Sequence, residues 1–350
     1  MRVVFVGMSG GVDSSVSALL LKEQGYEVRG VTLVLSDVEG ERKCCSLDEV
    51  KYAQYVCKYL GITHEIVNVK DLFRRKIILP FIKEYREGRT PNPCVNCNFY
   101  FKFGYMLEYA ISQGGDFIAT GHYARVVEVD SEKLLYKGID KNKDQSYFLA
   151  RLSKFQLSRS LFPVGELKKS EVQRIAKEAR LPLKPHLRES QDLCFVPNND
   201  VKSFLINNGI SPLEGEVVDE SGNFLSKHDG IYFYTVGQRR GLGVQVGRKI
   251  YVKYKDVVNN RIIVSDSPYF SGFYGSKLNW LGYGEPGNGV FTIKVRYKSE
   301  GVRGYLEVID DDKVKVEFYE KQFGVTPGQL AVFYDGDCVV GSAFIDSTFS

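Results

Sequence analysis

A short apolar run, a glycine-rich turn and a helical pattern open this chain and limit what it can fold into. Val3-Val4-Phe5-Val6 is mostly β-branched and bounded by Gly7, which reads as a buried strand. From Val16, Leu19, Leu20 and Glu23 onward the spacing is helical, with Ser14 as the expected cap. Between them lies Met8-Ser9-Gly10-Gly11-Val12-Asp13-Ser14. Glycines that deliver a strand directly into a helix let backbone amides approach a ligand closely, and the helix N-terminus adds partial positive charge. The result is a cradle for an anion, phosphate being the expected one.

What is missing narrows the choice. No Gly-Lys-Ser/Thr follows, so the loop lacks the lysine of a Walker loop, and Gly7, Gly10 and Gly11 do not fit Gly-x-Gly-x-x-Gly. Ser9-Gly10-Gly11-Val12-Asp13-Ser14 instead resembles the PP-loop of the ATP pyrophosphatases. That resemblance implies a loop holding the pyrophosphate of ATP while the α-phosphate passes to a substrate oxygen.

Downstream, Val28–Leu35, Ile62–Val69 and Asp116–Thr120 read as strands. Helical stripes at Val50, Ala53, Cys57 and Leu60 and near Phe103–Ser112 separate them. Alternation of this kind predicts an α/β, doubly wound parallel sheet, with ligands beyond the carboxyl ends of its strands. Gly88 to Asn98, with Pro91 and Pro93, is expected to be a constrained loop. His122 falls at a strand end, Lys143 lies in a polar loop, and Ser170–Ala179 reads as an amphipathic helix. Beyond about residue 199 short β runs replace this pattern: 231–236, 249–254, 261–264, 290–297, 302–309, 314–319 and 330–334. Turns such as Asp310-Asp311-Asp312 separate them, so antiparallel β structure is expected. The predicted organisation is a catalytic domain over 1–198, a small β-rich linker domain over 199–266 and a C-terminal β-barrel over 267–350.

No apolar run approaches the ~20 residues that span a bilayer, and the N-terminus turns polar at Ser9, too early for a signal peptide. A cytoplasmic location is expected, with no membrane partner. There the seven cysteines are metal-binding, reactive or core rather than disulfide staples. Cys57 and Cys338 read as core residues, and Cys44-Cys45 carry no assigned role. Cys94, Cys97 and Cys194 are placed in loops, where a thiol is more easily kept as thiolate. The net charge of +4 permits a nucleic-acid partner without requiring one.

The motifs Ser9–Ser14, Thr90–Cys97, Thr120–Arg125, Lys143–Leu149, Ser190–Phe195 and Tyr234–Gly243 occur in the order seen in the tRNA-uridine 2-sulfurtransferases (MnmA/TrmU). The chain resembles a bacterial member of that family over nearly its whole length. The resemblance implies ATP-dependent 2-thiolation of uridine at wobble position 34 in tRNAs for Lys, Glu and Gln. Gly7, Met8, Ser9, Gly10, Gly11, Val12, Asp13, Ser14, Leu33 and Gly121 would bind ATP. Cys97, in Cys-Asn-x-x-x-Lys-Phe, matches the nucleophile, and Cys194 the cysteine that receives persulfide sulfur. Asn92, Pro93 and Cys94 would face the target base, while His122, Lys143, Asp144, Gln145, Arg296, Tyr297 and Gln329 would contact tRNA.

Two residues depart from the family pattern: Leu33 replaces a common Met, and Cys94 stands where Asp is usual. The implied chemistry is coherent. Adenylation turns a poor leaving oxygen into departing AMP, Mg²⁺ is expected to accompany ATP with Asp13 a candidate to position it, and the base must be splayed from its stack. A persulfide on Cys194 would supply the sulfur, with Cys97 forming a disulfide as it leaves. The sulfur donor would be a cysteine desulfurase or a sulfur-relay protein. The alternative sulfur chemistry is a [4Fe–4S] cluster held by Cys94, Cys97 and Cys194. Two further alternatives are another adenylating ligase of the PP-loop superfamily and a zinc-binding RNA module on Cys94 and Cys97.

Overall fold

The computed structural model describes residues 1–36, 47–184 and 193–350. Cys44, Cys45 and Ser190 to Asp192 lie outside the described residues. Five parallel strands form the first sheet, in the order β3-β2-β1-β4-β7: β1 Val3–Gly7, β2 Glu27–Val34, β3 Thr63–Asn68, β4 Phe117–Ala119 and β7 Ser160–Leu161. Helices cover both faces, which is why β1 is a continuous apolar run and not an alternating one. Val4 and Val6 pack with Val16, Ala53 and Val172, while Phe5 packs on the other face with Phe73, Phe103 and Leu107. The sequence order reverses between β1 and β4, so the glycine loop and the Thr120–His122 segment border the crevice at the switch point.

The constrained loop is shorter than expected. Pro93–Cys97 is helical and runs on through a π-helical stretch, Asn98–Tyr105, to Ser112. Pro93 falls in the first turn, where its missing N–H costs nothing, and the Asn92 side chain caps the helix by accepting from Cys94 N at 3.2 Å. Cys94 and Cys97 therefore stand on a helix, not in a loop, and Cys97 is buried. Cys57 is buried too, and loss of solvation pushes its thiol up to about 12.

A hairpin of β5 Ala124–Val129 and β6 Glu132–Lys137 packs on the first sheet's core through Ala124 and Leu135 but does not pair with that sheet. It joins the C-terminal sheet, where Leu135 and Tyr136 pair with Val339 and Cys338. The middle sheet, β10-β11-β8-β9, comprises β8 Gly215–Val218, β9 Phe224–His228, β10 Tyr251–Asp256 and β11 Arg261–Ser265. Its β8–β11 pair is parallel, whereas antiparallel structure was expected throughout, and Ile231–Phe233 forms a 3₁₀ turn instead of the expected strand.

The barrel contains β12 Tyr269–Trp280, β13 Gly289–Lys294, β14 Val302–Val308, β15 Val314–Phe323, β16 Leu330–Asp335 and β17 Cys338–Phe349. Pairing of β12 with β17 closes the six strands. Leu330, Val332, Tyr334 and Val339 of this barrel pack in the same core as Val95, Cys97 and Phe101.

Candidate active site

The helix after the glycine loop begins at Val12, with Gly11 at the N-cap and no side chain capping it. Ser14 was expected to cap it but sits inside the first turn, its Oγ donating to Gly11 O at 3.1 Å and lying 3.2 Å from Ser9 Oγ. The helix thus presents its first amides and positive dipole end with no side-chain cap among the described residues, which suits an anion. Gly10 has φ +73°, and a Cβ there would also press onto the Glu49 carbonyl oxygen. Gly121, at the end of β4, approaches so closely that an added Cβ would meet Asp13 C at 2.6 Å and Ser14 N at 2.7 Å. Leu33 lies on the adjacent strand β2, its side chain buried.

Asp13 is heavily engaged. Lys169 Nζ donates to its two carboxylate oxygens at 2.7 and 2.8 Å, and the Tyr123 hydroxyl donates to Oδ1 at 2.7 Å. Lys169 opens the helix Lys169–Glu178 and reaches across 156 positions of sequence. Sequence reading overlooked it, since Lys168-Lys169 resembles any solvated helix start. The Asp13 carboxylate, expected to help position Mg²⁺, is charge-paired with Lys169, and no group of three His, Cys, Asp or Glu side chains forms a metal site among the described residues.

The thiols occupy the opposite side of β1. Cys97 is buried within the core that holds Phe5 and Ile118, and half-buried Cys194 packs against that same core. Cys94 is half-buried on the same helix as Cys97. All three are described, yet they are not gathered as a metal-binding group, so this arrangement does not fit a cluster held by three thiolates.

Several side chains expected at the tRNA surface are built into the protein. Asn92 caps the thiol helix, and its side chain lies near the Tyr147 hydroxyl. Asp144 is buried, its carboxylate accepting from Gly138 N, Ser146 N and Ser146 Oγ at 3.0–3.2 Å. Gln145 Oε1 accepts from Tyr123 N at 3.0 Å, and Gln329 Nε2 donates to Thr90 O at 2.6 Å. Arg296 Nη2 donates to Val236 O at 2.9 Å, to Gly324 O at 2.7 Å and to Thr326 Oγ1. Tyr297 stacks near Phe148, with ring centroids 4.4 Å apart, and Lys143 is half-buried in the turn whose amide N bonds Asp140 O. Pro93 is buried.

His122 Nδ1 lies 2.7 Å from Thr120 Oγ1, between the rings of Phe103 and Phe162. Burial, reinforced by the Lys102 charge, holds its pKa well below the ordinary value of 6.5, so the ring is neutral at pH 7.

A parallel sheet with an open helix N-terminus at its switch point, followed by two β-rich units, defines a nucleotide-binding HUP-type enzyme with appended barrels. Residues 2–198 match the family model described as the tRNA methyl transferase HUP domain, 202–266 the corresponding PRC-barrel domain and 270–345 the aminomethyltransferase β-barrel domain. The chain is 46% identical to the tRNA-specific 2-thiouridylase MnmA 1 of Caldanaerobacter subterraneus subsp. tengcongensis, covering 98% of this chain and 97% of that one. It is 43% identical to MnmA of Trichormus variabilis, with 99% of each covered, and 44% identical to MnmA of Halothermothrix orenii, again with 99% of each. The chain belongs to the MnmA family of tRNA-specific 2-thiouridylases.

Proposed function

We propose that this chain uses ATP to convert uridine 34 of tRNAs for Lys, Glu and Gln to 2-thiouridine, passing through an adenylated base and a cysteine persulfide. The observation that carries this reading is the pairing of an open anion cradle at the end of β1 with two motif thiols, Cys97 and Cys194, packed on the core beneath that strand. Backbone amides of the Gly7–Ser14 turn hold the pyrophosphate while the C2 oxygen of uridine attacks the α-phosphorus and pyrophosphate leaves. The terminal sulfur of a Cys194 persulfide then attacks C2, and AMP departs with the oxygen. The Cys97 thiolate attacks Cys194 Sγ, forming a Cys97–Cys194 disulfide and leaving the transferred sulfur on C2. An external thiol reductant resets the pair, and a persulfide-bearing donor protein reloads Cys194. No step is assigned to an iron–sulfur cluster, because Cys94, Cys97 and Cys194 are not gathered as a metal-binding group.

Mass-spectrometric detection of 2-thiouridine after incubation with tRNA, ATP and a persulfide donor tests the whole reading. Cys97→Ala and Cys194→Ala are expected to abolish the product while still releasing pyrophosphate, and Cys94→Ala is expected to stay active. Equal loss of thiolation in all three variants, with about four irons per chain after anaerobic purification, would overturn the persulfide route.

A further inference from the structure

The segment Pro327-Gly328-Gln329-Leu330, which leads into barrel strand β16, grips the approach to the thiol helix at two points. Pro327 O accepts from Thr90 N at 2.9 Å, and Gln329 Nε2 donates to Thr90 O at 2.6 Å, so the barrel holds both backbone polar groups of one residue. Leu330 O accepts from the Tyr147 hydroxyl at 2.7 Å, and Asn92, the cap of the helix that carries Cys94 and Cys97, lies near that same hydroxyl. Gly328 sits at φ +93°, where a Cβ would come within 2.9 Å of Thr90 N and 3.1 Å of Arg89 Cβ. Only glycine allows so close an approach in that conformation.

Fixing N–H and C=O of Thr90 together fixes both peptide planes that flank its Cα and so the course of the chain toward Asn92, and a displacement of the thiols by about 1 Å is enough to cost on the order of 10²-fold in rate. We infer that Gln329 is a positioning residue, through which the barrel sets the Cys94–Cys97 helix in its working place. The barrel is then part of the active site's framework and more than a platform for tRNA. The inference rests on the reading of Cys97 as the nucleophile, but the first readout below needs neither tRNA nor turnover.

Gln329→Met keeps the size of the side chain and removes its donor. In tRNA-free protein it is expected to raise the iodoacetamide alkylation rate of Cys94 or Cys97 about fivefold, the worth of one hydrogen bond of ~1 kcal/mol, and to speed amide exchange over residues 89–97. In turnover it is expected to lower kcat by a similar factor with tRNA Kd little changed. Gly328→Ala should move the same two tRNA-free readouts in the same direction. Wild-type alkylation and exchange together with weakened tRNA binding would make Gln329 a tRNA contact and overturn the inference. Absence of 2-thiouridine from the wild-type reaction, with the tRNA-free effects present in the variants, would overturn the proposed reaction while leaving the positioning role standing.

Discussion

Asp13 and Lys169 form a charge pair inside the phosphate cradle, and the loop's lack of a Walker lysine acquires a physical meaning through it. The cation that the loop does not encode arrives from a distant helix, held by two hydrogen bonds of 2.7 and 2.8 Å. Lys169→Met keeps the stem and deletes the charge. Charge-assisted bonds are worth roughly 1.5–3 kcal/mol, so tRNA-dependent pyrophosphate release is expected to fall about 10- to 100-fold. A variant that releases pyrophosphate at near the wild-type rate would show the pair to be only structural. The buried histidines set a second expectation. Burial lowers the pKa of His64, His122 and His228, so each takes up its proton less readily in the fold than in the unfolded chain, which protonates near 6.5. The unfolded state therefore binds more protons below that pH, and stability falls on acidification by up to about 1.4 kcal/mol per pH unit for each histidine. The lowered carboxylates, such as Asp200 and Asp219, stabilise the fold above their ordinary 3.8, and that contribution is lost only as pH falls below it. A melting temperature that is flat between pH 7.5 and 5.5 would contradict this assignment.

At the scale of elements, the thiol helix shows how a motif of turn residues becomes regular structure. Pro93 and Asn92 each suit a helix start, and the π-helical register after Cys97 carries the helix on to Ser112 without a break. Arg296 plays a comparable part between units. A single guanidinium nitrogen joins Val236 of the middle segment to the turn at Gly324 and Thr326 that follows β15. Arg296→Met would leave Val236 O without this donor and Gly324 O with the Thr326 hydroxyl alone, at a cost of about 1–3 kcal/mol. A lowered melting temperature is expected, and calorimetry checks it. If stability is unchanged but the salt dependence of tRNA binding loses about 0.9 from its slope, the side chain is a phosphate contact and not a strut.

The whole molecule is more continuous than three successive segments suggest. The hairpin β5–β6 lies in the chain's first part but extends the barrel sheet, and Leu330, Val332 and Tyr334 complete the core around Cys97. A fragment of residues 1–198 would expose the inner faces of that hairpin and of the thiol helix. It is expected to bind hydrophobic dye, aggregate and lose cooperative melting, since burial of this apolar surface is the main favourable term in folding. A fragment that melts cooperatively at the full-length temperature would show the barrel to be an accessory. No helix of the described residues is long and apolar enough to cross a membrane.

Local order along the chain was sufficient for the strand–glycine turn–helix, the parallel sheet and most barrel strands, because periodicity and turn residues act over a few positions. The motif thiols Cys97 and Cys194 were legible in the same way. Periodicity carried no sign that Lys169 would reach Asp13, that Gln329 would hold Thr90, or that β6 would pair with β17, since these are joined by 156, 239 and about 200 positions of chain. It also placed Cys97 in a loop, because Pro93 disfavours a helix only where its N–H would be needed, and at the first turn it is not. What the residues settle among neighbours was therefore readable in advance. Which distant groups share one buried site was decided by the packing of the barrel against the sheet, where burying apolar surface brings together polar partners that no local pattern connects.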